Sequence, residues 1–223
     1  MNTNNPIKAV LFDLDGTLLD TALDLGGAAN MLLARDNLPL LSDEVIHQTA
    51  SQGSLALVKA GYGDQLTDEQ YSTLRNQFLS NYTNHINDQT SYFKSVNFLL
   101  DELDANNIVW GIVTNKPTLY TQQLLKHYRR LENCAVVICG DTLNVSKPDP
   151  APLLLAADSL NIAPKYIAYV GDARTDIQSA NSAGMLSIAA NYGYIPVDDP
   201  TSGWGSDHII DHAKDLLPLL SIK

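Results

Sequence analysis

The sequence predicts an α/β protein: a parallel β-sheet covered by helices on both faces, three layers in all, with a small α-helical domain inserted after the first strand. Three observations lead there. Short apolar runs of strand length recur along the chain. From residue 108 onward they alternate with helix-forming segments, the order that builds a parallel sheet. Finally, roughly 95 residues separate the first run from the second, where a crossover between parallel strands needs only a dozen or so.

The strand candidates, in order, are residues 7–12 (IKAVLF), 108–113 (IVWGIV), 135–139 (AVVIC), 166–170 (YIAYV), 186–190 (LSIAA) and a weaker 208–210 (HII). Strands buried on both faces read as such continuous apolar runs. Between them, Tyr120–Tyr128, Ala151–Leu160 and Thr175–Ala183 read as helices, the last ending at Gly184 as a helix C-terminus favours. Pro117 sits at a plausible first helical position. In the long first interval the pattern is helical throughout: Leu23–Arg35, Asp43–Thr49, Ser54–Ala60 and Thr67–Ile86, the last opening on a Thr67-x-x-Gln70 capping box. The division that follows is a Rossmann-like core of residues 1–19 and 89–223 carrying a helical cap of residues 20–88.

At 223 residues, 45% of them hydrophobic and 17% charged, the chain can bury a core without disulfide or metal staples. No apolar run approaches the length of a membrane span, and the polar start MNTNNPIKAV lacks a secretory pattern, which predicts a cytoplasmic protein. A net charge of −11 without any basic cluster argues against nucleic acid and anionic membranes as partners. Cys134 and Cys139 read as small hydrophobes rather than a disulfide.

In an open parallel sheet the ligand crevice lies beyond the carboxyl ends of the strands. Residues delivered there are Asp13, Asp15, Gly16 and Thr17 after the first strand, Thr114, Asn115 and Lys116 after the second, Lys147 in the loop after the third, and Asp172 and Asp176 after the fourth. Singly, each has a plainer reading that outweighs the catalytic one: an aspartate after a strand caps the next helix, which would account for Asp172 alone, Thr114 and Asn115 form a cap, and a lysine before proline is a solvated loop residue. Together, four carboxylates on one edge repel one another unless a cation lies among them. Oxygen donors without histidine or cysteine favour Mg2+, and a bound cation turns an acidic crevice into a phosphate site. Asp13, first past the strand and ionised at neutral pH, is the candidate nucleophile, and Asp15 the candidate general acid and base. Thr114 and neighbouring amides would hold phosphoryl oxygens, and Lys147 would neutralise the charge growing on them.

The motifs DLDGT (13–17), VTN (113–115), SKPDP (146–150) and GDARTD (171–176) resemble, in order and spacing, those of the haloacid dehalogenase superfamily of phosphohydrolases. The inserted helical cap is also a family feature, so the resemblance spans nearly the whole chain. It implies Asp13 as nucleophile and metal ligand, Asp15 as acid/base and as metal ligand through its backbone carbonyl, and Thr114 and Lys147 as phosphate contacts. It further implies Asp172 as the third protein ligand of Mg2+ and Asp176 as an outer carboxylate positioning Lys147 or a metal-bound water. WGIVTNKP, CGDTLNVSKPDPAPLLLAA, YVGDARTDI and AANYGYI resemble the phosphoglycolate phosphatase branch, including N-acetylmuramic acid 6-phosphate phosphatases. One departure is YFKSV at 92–96, where relatives usually show a proline and a glycine after the tyrosine.

The expected activity is therefore hydrolysis of a small phosphorylated metabolite, of 2-phosphoglycolate or N-acetylmuramic acid 6-phosphate type, through an aspartyl-phosphate. The cap should select the substrate, and Ser51, Gln52 and Gly53 are its candidate contacts, a polar helix connection being the equally good reading of that stretch. Lys116 and Arg174 flank motif residues and read either as contacts for a substrate carboxylate or as ordinary exposed cations. The alternatives are a sugar phosphomutase of the same family, which differs only in its cap, and a non-enzymatic phosphoacceptor module, which would have no use for so large an insertion. A dehalogenase would need neither Asp15 nor Asp172.

Overall fold

The computed structural model describes residues 7–222; the reading of the polar N-terminus rests partly on residues 1–6, which lie outside them. β1 (Ala9–Phe12) is followed by a two-residue strand β2 (Leu19–Asp20), then four helices: α1 (Ala22–Arg35), α2 (Asp43–Thr49), α3 (Ser54–Tyr62) and α4 (Asp68–Asn84). β3 (Ser91–Tyr92) returns antiparallel to β2, pairing Leu19 with Tyr92 and Asp20 with Ser91. The rest of the chain is α5 (Val96–Ala105), β4 (Val109–Val113), α6 (Thr118–Leu125), α7 (Arg129–Glu132), β5 (Val137–Ile138), α8 (Ala151–Leu160), β6 (Ile167–Gly171), α9 (Arg174–Ala183), β7 (Leu186–Ala190), β8 (His208–Ile210) and α10 (Leu216–Leu219).

Six strands form one parallel sheet in the order β5-β4-β1-β6-β7-β8. β1 is central, and all four of its residues are buried because helices cover both faces. After β1 the sheet grows through β4 and β5 on one side, and the chain then crosses to β6 on the other side of β1, the kind of reversal at which ligand crevices open. Val10, Phe12, Ile112 and Val170 point into one core layer and Leu11, Val113 and Tyr169 into the other, as strand alternation requires.

The helical insertion packs on itself and on the sheet edge. Tyr71, Leu74, Phe78 and Tyr82 make the buried stripe of α4 at helical spacing, against Leu25, Ala28, Ala29 and Leu32 of α1. Thr67 opens α4 with the expected capping box, Gln70 closing it reciprocally. Asp24, buried in the first turn of α1, accepts from the backbone of Gln89 (2.9 Å) and Thr90 (2.9 Å) and from the Thr90 hydroxyl (2.6 Å), so the outgoing and returning chains are fastened together.

Several boundaries differ from expectation. The helix expected at Tyr120–Tyr128 begins at Thr118 and stops at Leu125, with Pro117 as its extended N-cap rather than its first turn. The strand expected over 135–139 is only Val137–Ile138, a short edge strand of the kind that limits unwanted edge pairing. Helix α5 and the β2–β3 ribbon were not expected; the ribbon is too short for a periodic signal. At the departure from the family pattern, Ser95 stands in the left-handed region (φ 69°), a conformation that suits glycine. Cys134 and Cys139 are both free, Cys139 buried and Cys134 half-buried. Among the described residues no helix is long and apolar enough to cross a membrane.

Candidate active site

The carboxyl ends of β1, β4 and β6 and the loop after β5 do converge. Asp13 follows β1 directly, its backbone N–H donating to the Val170 carbonyl at 2.9 Å and its Oδ1 accepting from the Leu14 N–H at 2.8 Å. Carboxylate oxygens of Asp13, Asp172 and Asp176 lie within 4.8 Å of one another. Asp172 and Asp176 are fully buried. Asp172 accepts from the Thr17 hydroxyl (2.8 Å) and from the Tyr194 backbone (3.0 Å), and Asp176 from the Ala173 N–H (2.9 Å) at the start of α9.

Lys147 reaches into the cluster from the loop after β5. Its ammonium is 3.1 Å from Asp13 and 2.7 Å from Asp176, and also donates to the Val113 carbonyl (3.0 Å) and the Tyr169 hydroxyl (2.8 Å). Asn115 is placed beside it but its side chain is engaged: the amide donates to the Lys147 carbonyl and accepts from the Lys147 N–H, both at 3.0 Å. Thr114 is buried at the carboxyl end of β4, where its hydroxyl accepts from the Lys116 backbone at 3.2 Å.

Asp15 faces differently from Asp13. Its carboxylate accepts from the Thr21 hydroxyl (2.7 Å) and from the Lys116 ammonium (3.0 and 3.2 Å to its two oxygens). Lys116 is therefore no exposed flanking residue: its side chain is 6% exposed and its ammonium also donates to the Tyr82 hydroxyl of α4 at 2.8 Å. Arg174, by contrast, lies half-exposed and is bound to Asp199 and the Gly203 carbonyl. In the helical insertion, Ser51 donates to the Tyr194 carbonyl at 3.3 Å and Gln52 is exposed. Gly53 is required for its positive φ of 84°, since a side chain there would meet nothing.

Burial pushes the Asp13 carboxyl up to about 6; Lys147 opposes the rise, and the charges of Asp176 and Asp15 add to it. Burial first, then the charges of Asp13 and Asp176, raise Asp172 well above the usual carboxylate range. Burial disfavours the ammonium of Lys147, but its two carboxylate partners outweigh this and keep it protonated. With all four ionised, these carboxylates face two ammonium groups, an excess of two negative charges that burial resists by raising Asp13 and Asp172. One divalent cation would balance it, and the all-oxygen donor set suits Mg2+. Asp176 is already saturated by Lys147, Tyr169 and Ala173, whereas among the described residues no hydrogen bond ends on the Asp15 carbonyl.

Two glycines make room for this. Gly16 has φ 82°, and a Cβ there would run into the Asp172 carboxylate. Gly193 has no such backbone constraint, yet a Cβ on it would collide with Asp172 and the Gly16 carbonyl. Tyr82 was not singled out from the sequence, and Tyr169, Gly193 and Tyr194 entered only within the family-like stretches YVGDARTDI and AANYGYI, without a role. Tyr169 was legible as an inward position of its strand, but nothing local marks Tyr82, and nothing within AANYGYI tells that Gly193 is the residue packed on Asp172, far away in the chain. Two surface cavities lie elsewhere: one of about 620 Å³ at the amino end of β4 beside Trp110 and Arg130, another of about 410 Å³ beside Arg35 and Tyr62.

The family model for haloacid dehalogenase-like hydrolases matches residues 10–190. The chain belongs to that family. Among relatives of this hydrolase, an N-acetylmuramic acid 6-phosphate phosphatase from Pseudomonas aeruginosa is 36% identical over 96% of this chain and 95% of its own length. A phosphoglycolate phosphatase from Xanthomonas campestris is 39% identical over 94% of both. A crystal structure of a predicted phosphoglycolate phosphatase from Haemophilus somnus superposes with a TM-score of 0.84 at 28% identity, covering 97% of this chain and 99% of that one. The haloacid dehalogenase-like sheet and its helices are thus those the first motifs implied.

Proposed function

We propose that this hydrolase is a Mg2+-dependent phosphomonoesterase for a small phosphorylated metabolite, acting through a phosphoryl group carried on Asp13. The observation that carries the reading is the convergence of Asp13, Asp172 and Asp176 within 4.8 Å, beside a buried ammonium that contacts Asp13. Asp13, Asp172 and the free Asp15 carbonyl would hold the metal, leaving Asp176 to Lys147. When bound, Mg2+ supplies positive charge to the phosphoryl oxygens and keeps Asp13 ionised.

An Asp13 oxygen forms a bond to phosphorus as the ester P–O bond breaks. The leaving alkoxide takes the proton of the Asp15 carboxyl, and water then attacks the aspartyl-phosphate, returning a proton to Asp15 and releasing phosphate. Thr114 and nearby backbone amides orient the phosphoryl group, while Lys147 neutralises its growing charge. Residues 1–19 with 89–223 serve as the catalytic core and residues 20–88 as the cap, Ser51, Gln52 and Gly53 facing the substrate side of the seam with the Tyr194 loop. Both substrates in the relatives' names, phosphoglycolate and N-acetylmuramic acid 6-phosphate, are acids bearing a carboxylate besides the phosphate.

The test is sustained release of phosphate from p-nitrophenyl phosphate with Mg2+, lost on chelation and in Asp13→Asn. Release of a single phosphate per chain would refute an enzyme in favour of a phosphoacceptor, and an isomerised sugar phosphate without free phosphate would favour a mutase.

A further inference from the structure

The Lys147 ammonium has more acceptors around it than protons to give. It carries three N–H bonds, yet four oxygens stand within 3.1 Å: Asp176 at 2.7 Å, the Tyr169 hydroxyl at 2.8 Å, the Val113 carbonyl at 3.0 Å and Asp13 at 3.1 Å. Asp13 is the farthest of the four, and it is the one the chemistry uses. A lysine head on a flexible four-carbon stem, set between two carboxylates, is drawn to the nearer one unless something fixed opposes the pull. The two uncharged partners supply that opposition.

We propose that the Tyr169 hydroxyl is a positioning group for the reaction, fixing the Lys147 ammonium beside Asp13 against the pull of Asp176. This rests on the phosphomonoesterase reading and adds to it a residue one contact removed from the reacting atoms. Immobility is the first support. Tyr169 is fully buried on β6, in the layer that holds Leu11 and Val113, so its ring cannot follow the ammonium if the ammonium moves. Its proton is shared between the Val113 carbonyl (2.7 Å) and Asp176 (3.2 Å), which leaves its oxygen to accept from Lys147.

Constancy of charge is the second support. As an Asp13 oxygen bonds phosphorus, its carboxylate charge is spent, while Asp176 keeps its own; the ammonium is then divided between the phosphoryl group and Asp176. Burial, then the charges of Asp176 and Asp13, hold the Tyr169 phenol well above its usual range, so it stays a neutral hydroxyl throughout. The Val113 carbonyl is fixed by its strand, and together the two hold the ammonium in place as the charges around it change. Packing is the third: a phenyl ring would fill the same layer, so the oxygen serves the lysine rather than the core. Without it, Asp176 loses a donor and draws Lys147 more strongly.

The experiment is Tyr169→Phe in the full chain with Mg2+. With p-nitrophenyl phosphate, kcat per folded protein should fall about tenfold while KM stays within about threefold, the low end of what a hydrogen bond to a charged group is worth. Calorimetric titration should show orthovanadate, a mimic of the phosphoryl group in transfer, losing about tenfold in affinity and inorganic phosphate less than about threefold. In a Lys147→Met background the same substitution should change orthovanadate affinity by less than about twofold, because no ammonium is left to place. A purely structural hydroxyl would lower Tm in both backgrounds and move neither kcat nor the ratio of the two affinities. The proposal is overturned by a kcat within about twofold of wild type, by equal losses for the two anions, by an undiminished loss in the Lys147→Met background, or by a Tyr169→Phe chain that does not fold. The phosphatase reading is decided on the wild type: sustained phosphate release that Asp13→Asn abolishes upholds it whatever Tyr169→Phe does, and if no ester is hydrolysed, both fall.

Discussion

Gly193→Ala is the cleanest perturbation of the carboxylate cluster, because it alters no charge, no side-chain hydrogen-bonding group and no residue of the four strand-end motifs. Gly193 has an ordinary backbone conformation, so alanine adds only a methyl group. That methyl would lie 2.8 Å from Asp172 Cγ and nearer still to Asp172 Cβ and the Gly16 carbonyl oxygen. Carbon atoms normally touch at about 3.5 Å or more, so the Tyr194 loop and Asp172 must part by about 1 Å. The Gly16 carbonyl belongs to a tight turn and cannot rotate aside like a side chain. Parting also stretches the Tyr194 N–H bond to Asp172, now 3.0 Å. A misplacement of about 1 Å in a reacting constellation costs on the order of 100-fold in rate, and a displaced ligand support costs about 10- to 100-fold in metal affinity. The assay is p-nitrophenyl phosphate turnover across a Mg2+ titration, with circular dichroism as a control for folding. A folded Gly193→Ala protein whose kcat and half-saturating Mg2+ stay within about threefold of wild type would refute the argument that Asp172 holds the metal.

Other outcomes follow from the same contacts. Asp24→Ala strips the acceptor from two backbone N–H groups and a hydroxyl at the base of the insertion, and should cost about 3 kcal/mol in urea unfolding. Tyr194→Phe should cost about 2 kcal/mol by the same assay, because the Tyr194 oxygen accepts from the Thr21 and Ala22 N–H groups where α1 begins without a side-chain cap. Ser95→Gly should stabilise by up to about 1 kcal/mol, relieving a left-handed serine; a loss of stability would show that the Ser95 side chain contributes more than its strain costs. Burial raises Asp13 to about 6 from 3.8, so between those values the folded chain holds a proton that the unfolded chain has released. Stability of the metal-free protein should therefore fall as pH rises from about 4 to 6, and Mg2+, which needs the ionised carboxylate, should raise Tm more at about pH 7.5 than at about pH 5. Equal Mg2+ shifts at both pH values would argue against Asp13 as a ligand.

The parallel sheet, the helical insertion and the set of residues at the strand ends are written in local sequence pattern. Continuous apolar runs such as AVLF and YIAYV can be buried on both faces only inside a covered parallel sheet, and a residue following such a strand has few places to go. That local logic alone brings Asp13, Thr114, Lys147, Asp172 and Asp176 to one edge. Short elements escaped it: two-residue strands β2 and β3 carry no period, and their pairing depends on Leu19 meeting Tyr92 across the whole insertion. The two lysines show the sharper division. Lys147 and Lys116 look alike in sequence, each a lysine before proline in a loop after a strand. Tertiary structure decided that one is shared between Asp13 and Asp176 and the other is closed between Asp15 and a tyrosine of the insertion. Burial and partnership at such positions are set by which distant segments are brought against them, Tyr82 for Lys116 and Gly193 for Asp172, and no pattern within a window of residues encodes that juxtaposition.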